Sequence, residues 1–239
     1  MSRSRVVSGA LAGAVVVLLL VLPGCSSETV STDTSVKPPR DSSGTAQVPT
    51  APVTPAPDTS SASPAPSESD SRTRTALLAI PAIGLKELRV VPYEGTTDDW
   101  PGTRIQNRGV GASPYGSRGG VGPGEVGNYL VTAHRLSADG PLRDLPALDE
   151  GDSVVVTSGG TVYEYEITGT RETSFRSERS LAEQRAAVPG FPGRTPTQAM
   201  ITISTCATPE DNAAGNFWRD DRGNPEHRID KIGVLTSTT

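Results

Sequence analysis

Residues Met200-Ile201-Thr202-Ile203-Ser204-Thr205-Cys206 form an alternating run that ends on the only cysteine outside the N-terminal segment. The alternation predicts a strand on a half-buried pleated surface, with Ile201 and Ile203 toward one side and Thr202 and Ser204 toward the other. Turn-rich Ala207-Thr208-Pro209-Glu210-Asp211-Asn212 follows and predicts the strand's end, leaving Cys206 at its rim. Two readings of such a cysteine stand: a small buried hydrophobe, or a nucleophile.

The histidines bear on that choice. There are 2, His134 and His227, and His134 closes a second apolar run, Asn128-Tyr129-Leu130-Val131-Thr132-Ala133-His134. A thiol needs a base or a cationic neighbour to be held as thiolate, and two strand ends supply one rigidly. Read without Cys206, His134 is better taken as a core histidine with its hydrogen bonds satisfied.

Composition narrows the rest. Of the 239 residues, those from about 76 onward carry the aromatics and the β-branched alternation, enough for one core. A net charge of -5, with no lysine- or arginine-rich face, argues against nucleic acid as a partner. Cys25 and Cys206 are too different in context to form a disulfide framework. A free thiol on an exported protein invites oxidation and calls for a chemical reason.

Export is read from the first residues. Arg3 and Arg5 precede an apolar run from Val6 to Leu22, so residues 1–25 form a signal peptide or a signal anchor. Leu22-Pro23-Gly24-Cys25-Ser26-Ser27 resembles a bacterial lipoprotein signal box, from which Pro23 departs, and the resemblance implies lipidation at Cys25. Either reading leaves the remainder on the extracellular face of the membrane. Residues 26–75, rich in Ser, Thr, Pro and Ala with no aromatic, predict a disordered linker. As a coil it would span roughly 40 Å and hold a domain off the membrane.

Order is expected from Leu77 to Leu85, with Pro81 at a sheet edge or strand end, and again in a strand from Leu88 to Tyr93. The glycine-rich region from Thr96 to Gly127 reads as loops. Pro141 to Leu148 suggests at most one helical turn. Ser153–Thr157 and Thr161–Thr168 pair as a hairpin around Ser158-Gly159-Gly160. A short surface helix over Ser177–Ala187 and a last strand over Ile229–Leu235 complete the pattern. Many short strands with little helix predict an all-β sandwich or barrel.

Four motifs occur in order: Ile80-Pro81-Ala82-Ile83-Gly84-Leu85, Thr132-Ala133-His134-Arg135, Thr202-Ile203-Ser204-Thr205-Cys206 and His227-Arg228. Together they resemble a sortase over a catalytic domain of residues 76–239, with Ile203 in the leucine place of the family's Thr-Leu-x-Thr-Cys signature. The resemblance is greatest to class E sortases of high-GC Gram-positive bacteria. It implies an eight-stranded β-barrel with short helices and a cysteine transpeptidase that anchors surface proteins to the cell wall or assembles pili. Its partners would be exported proteins bearing a C-terminal motif of the Leu-Pro-x-Thr-Gly type, with alanine for proline in class E. The bond cleaved lies between threonine and glycine, and an amine from peptidoglycan precursor or a pilin resolves the thioester.

On that resemblance Cys206 is the nucleophile, His134 the proton carrier and Arg228 the oxyanion ligand, chemistry that suits each residue type. Arg219 and Arg222 compete for the arginine's role. Thr205 would position substrate, and His227 would face solvent without a role. No cofactor is expected. Two separated histidines and one thiol make no zinc signature, and Asp211, Asp220, Asp221 and Glu226 match a calcium site only loosely. Specificity is expected in the loop Arg171–Thr197 rather than in Thr96–Gly127. The alternatives are an exported cysteine peptidase with water as acceptor and a non-catalytic binding β-domain in which Cys206 is structural.

Overall fold

The alternating runs become eight strands that close on themselves: β1 (Ala76–Ile80), β2 (Leu85–Glu94), β3 (Gly111–Tyr115), β4 (Gly127–Thr132), β5 (Ser153–Ser158), β6 (Thr161–Ser174), β7 (Ala199–Cys206) and β8 (His227–Thr238). Their order around the barrel is β1-β2-β3-β4-β7-β8-β6-β5. Closure leaves no strand with an unpaired edge. This computed structural model describes residues 69–239. The export segment with Cys25 and the linker as far as residue 68 lie outside the described residues. Among the described residues, no helix is long and apolar enough to cross a membrane. The last residues of the stretch read as linker form a helical turn, α1 (Ser69–Arg72), with Arg72 paired to Glu125 at 2.6 Å.

Pro81 ends β1 as expected and opens a 3₁₀ turn, Pro81–Ile83, which Gly84 closes at φ 69°, a left-handed backbone that costs glycine little. Leu78, Ile80, Val131, Val154, Val156, Tyr165, Ile201 and Ile203 fill the barrel interior. Leu142, Leu145 and Leu148, around a second 3₁₀ turn at Leu145–Ala147, join the same cluster.

Thr96–Gly127 is not all loop: it contains α2 (Trp100–Gln106) and β3. Asp99 caps α2 by accepting from Gly102 N at 2.8 Å, with Pro101 in the first turn. Proline and glycine disguise β3 as a turn, but its parallel pairing with β2 makes it part of the barrel wall. Tertiary context decides a strand that propensity opposes. After Cys206 the chain forms α4 (Thr208–Ala213) in place of a simple turn. The helix expected over Ser177–Ala187 is α3 (Glu178–Arg185), capped by Ser177 accepting from Ser180 N at 3.1 Å. Strands β6 and β8 run past their expected ends because they pair with each other from Tyr163↔Thr238 to Ser174↔His227. The expected specificity loop therefore begins at Phe175 and not at Arg171.

Candidate active site

Antiparallel pairing puts Cys206 directly opposite Arg228 and Ser204 opposite Asp230, so all four project from one face of the β7–β8 ribbon. On the other side of β7, parallel β4 sets Thr132 beside Ser204. The chain beyond β4 is pinned by Ala133 N donating to Ser204 O at 3.2 Å and by the Thr205 hydroxyl donating to Ala133 O at 2.8 Å. His134, the next residue, is thereby delivered to the cleft that also exposes Cys206. This cleft, of about 190 Å³, is walled by Trp100 of α2, Asn107 just after it, Leu136, and Arg222 from the β7–β8 connection.

Arg228 is 2% exposed, and its guanidinium is held on three sides. One terminal nitrogen donates to the Cys206 sulfur. The other lies 2.9 Å from Asp98 Oδ1, and the guanidinium carbon stands 4.6 Å from the centre of the Phe175 ring. A buried cation requires such partners, since an unpaired one would have to be desolvated for nothing in return. Asp98 is itself 2% exposed and accepts from Gln106 Nε2 at 3.1 Å.

A polar layer supports this arrangement. The expected half-buried surface is buried on both faces, because α3 covers the side that carries Thr202 and Ser204. Gln184 of α3 donates to Ser204 Oγ at 3.2 Å and to Asp230 Oδ1 at 2.9 Å, and Thr173 donates to Asp230 Oδ2 at 2.6 Å. Asn128 accepts from Thr202 at 2.8 Å and donates to Gln184 O at 3.0 Å. Every polar side chain in that layer has a partner, which fixes α3 and the facing ends of β7 and β8.

Protonation follows from burial and charge. Burial pushes the Cys206 thiol up, and the Arg228 cation opposes that rise. His134 is pushed down, first by burial and then by Arg228, with Asp98 opposing. The predominant state near neutrality is therefore a thiol beside a neutral imidazole. His134 Nε2 lies 2.7 Å from Asn107 Oδ1, a contact that assigns the proton to Nε2. In this state the hydrogen-bond partner of the thiol is Arg228 and not His134.

Cys206, His134 and Arg228 are thus brought together. Thr205, expected to position substrate, is fully buried, and its hydroxyl donates to Ala133 O, a bond that fixes the segment leading to His134. His227 is only partly exposed and bonds through Nδ1 to Asp211 Oδ1 at 2.6 Å. Of the competing arginines, Arg219 bonds to Trp218 O and Asn212 Oδ1, and Arg222 to Asp220. The acidic residues considered for calcium have protein partners: Asp220 takes Arg222 and Asn224, and Glu226 takes Asn216. The described residues contain no group of acidic, histidine and cysteine side chains set to hold a metal. Sequence reasoning missed Asp98, Gln106, Asn107 and Phe175. The signal for Asp98 was the Asp98-Asp99 pair before Trp100-Pro101, in which one acid caps the helix and the other has no local task.

A family model described as the Sortase domain matches residues 78–217, which include His134 and Cys206 and stop short of Arg228. No curated protein sequence matches the chain. Among solved structures, sortase E from Streptomyces avermitilis is 26% identical, covering 71% of this chain and 92% of its own, at a TM-score of 0.50. The SrtA sortase from Actinomyces oris is 20% identical, covering 75% and 89%, at a TM-score of 0.54. Sortase E1 from Streptomyces coelicolor, with a tripeptide in its active site, is 20% identical, covering 70% and 90%, at a TM-score of 0.51. With the closed barrel and the family match over most of its folded part, the chain belongs to the sortase family of cysteine transpeptidases and resembles its class E members.

Proposed function

We propose that this sortase cleaves a Leu-Ala/Pro-x-Thr-Gly-like motif of exported proteins between threonine and glycine, and passes the acyl group to an amine of the cell wall or of a pilin. The observation that carries the assignment of residues is the Arg228 guanidinium bonded to the Cys206 sulfur across the β7–β8 pair, with His134 on the same cleft. Cys206 attacks the threonine carbonyl after losing its proton to His134. Arg228, already against the sulfur, stabilises the oxyanion that develops beside it. His134 then protonates the leaving glycine amine, the thioester remains, and His134 takes a proton from the incoming amine as the tetrahedral intermediate forms and collapses. A buried thiol favours this cycle by keeping water from the thioester until an amine arrives.

The N-terminal segment would hold the domain at the extracellular face of the membrane, through a lipid on Cys25 or through an uncleaved anchor. Its apolar run and signal-box residues support that placement. Mass spectrometry of membrane-extracted protein separates the two: a lipidated Cys25 at the new N-terminus supports the lipoprotein, and Arg3 and Arg5 still attached support the anchor.

The function is tested by incubating the protein with a Leu-Ala-x-Thr-Gly peptide and an amine. A peptide–amine ligation product that C206A cannot form is expected. Hydrolysis alone, at every amine tried, would favour the peptidase reading instead. Thiol alkylation gives an independent check: because burial raises the thiol, its rate should rise with a midpoint above the ordinary cysteine value of about 8.5.

A further inference from the structure

Asp98 lies outside the Cys206, His134 and Arg228 set, yet its surroundings are unusual. It belongs to the segment between β2 and α2, where neighbouring Thr97 bonds to Gln184 Oε1 at 2.9 Å and Asp99 caps α2. Its backbone sits at φ 58°, a left-handed conformation that is strained for a residue with a side chain. The carboxylate is buried, one oxygen receives both Arg228 and Gln106, and Oδ2 has no hydrogen-bond partner. Nε of Arg228 is likewise unpartnered. Strain together with a buried carboxylate oxygen that has no partner is costly, and it persists where surrounding structure imposes it for function.

The constraint has a visible consequence. Arg228 has two terminal nitrogens, and Asp98 fixes one so that the other meets the Cys206 sulfur. Asp98 is also close enough to act electrostatically on both reacting groups, disfavouring the thiolate of Cys206 and favouring the imidazolium of His134. The other charged groups that bear on the thiol are Arg228 and Asp220, and on His134, Arg228; Asp220 and Asp230 also face the guanidinium.

We propose that Asp98 is a positioning residue of the transpeptidase site: it aims the Arg228 guanidinium at the Cys206 sulfur. This rests on the assignment of those three residues made above. Asp98 touches the arginine and not the reacting atoms, so it acts through Arg228.

The full chain carrying D98N or D98A is compared with wild type in peptide–amine ligation and in the pH profile of alkylation by iodoacetamide. D98A removes charge and anchor, and ligation should fall about a hundredfold, the scale of a misplaced catalytic group. D98N is isosteric and still offers an acceptor to Arg228 but lacks the charge, so the alkylation midpoint should fall by about one pH unit. A purely structural aspartate would not move that midpoint downward. D98A ligating at the wild-type rate, or a D98N midpoint that stays in place or rises, overturns the proposal. If D98A fails to fold by circular dichroism, D98N carries the test alone. Alkylation needs no sorting peptide, so a mistaken motif would silence ligation in wild type while leaving the D98N comparison intact.

Discussion

The two faces of β7 differ in what they are for. Ile201 and Ile203 project into an apolar interior with Val131 and Tyr165, whereas Thr202 and Ser204 project into a layer of buried amides, hydroxyls and charges under α3, and Cys206 on the same side meets Arg228 and the cleft. Both faces exclude water. The inner face gains from the area it buries and tolerates any good packing, while the outer one holds each polar group by a directional bond. Loss of an inner side chain is therefore expected to cost stability, and loss of an outer one to cost geometry at Cys206.

The sharpest test of that division is C206A, H134A or R228A, each of which should abolish ligation with the barrel intact by circular dichroism, and their combined losses should be non-additive. An active C206A would remove the enzyme assignment altogether. R228A at wild-type activity, with R222A or R219A inactive, would move the arginine's role into the β7–β8 connection. On the inner face, I203A should lose about 3 kcal/mol of stability in denaturant titration, as large-to-small core changes do, while the remaining folded protein ligates normally. A dead but stable I203A would erase the distinction between the faces.

Thr205, on the face that carries Ile201 and Ile203, joins β7 to the chain just before His134. T205V keeps the shape and removes the hydroxyl, so stability should fall by about 1 kcal/mol. Ligation should fall further than that loss explains, because the segment bearing His134 loosens. Unchanged kcat with a raised KM would instead restore a direct contact with substrate.

The smallest expected effect lies at His227. Burial works against its protonated form, but Asp211, Glu172 and Glu226 outweigh that and raise its pKa. A raised pKa in the folded state means that this stabilisation is complete below the unfolded value, about 6.5, and is lost as pH rises through the folded value. The Tm deficit of H227Q should accordingly shrink as pH rises through the neutral range. A deficit that grew with pH would mean that the Asp211 contact does not stabilise the charged ring.

Much of this chain was legible because its signals are local. The alternation of Met200–Cys206, the glycine turn between β5 and β6, and the serine cap of α3 each depend on neighbouring residues, and each emerged where expected. The four ordered motifs likewise sufficed for the family. What failed was set by distant pairing. The segment Gly111–Tyr115 has the composition of a turn and becomes a strand only because β2 and β4 flank it. Thr205 and His227 have partners 72 and 16 positions away, respectively, so neither could be seen to be engaged.

The sequence by itself determined the all-β class and singled out Cys206 and His134, since strand periodicity and rare reactive residues can be read along one dimension, while the closed barrel was implied by the ordered family motifs. Only the tertiary structure decided which arginine meets the thiol and that Asp98 holds it there. Arg228 acts from directly across an antiparallel ladder, and Asp98 reaches it from a loop on the far side of the chain's order. The physical reason is burial: a guanidinium excluded from water is oriented by whichever carboxylate shares its cavity, and that partner is chosen by the closure of the barrel.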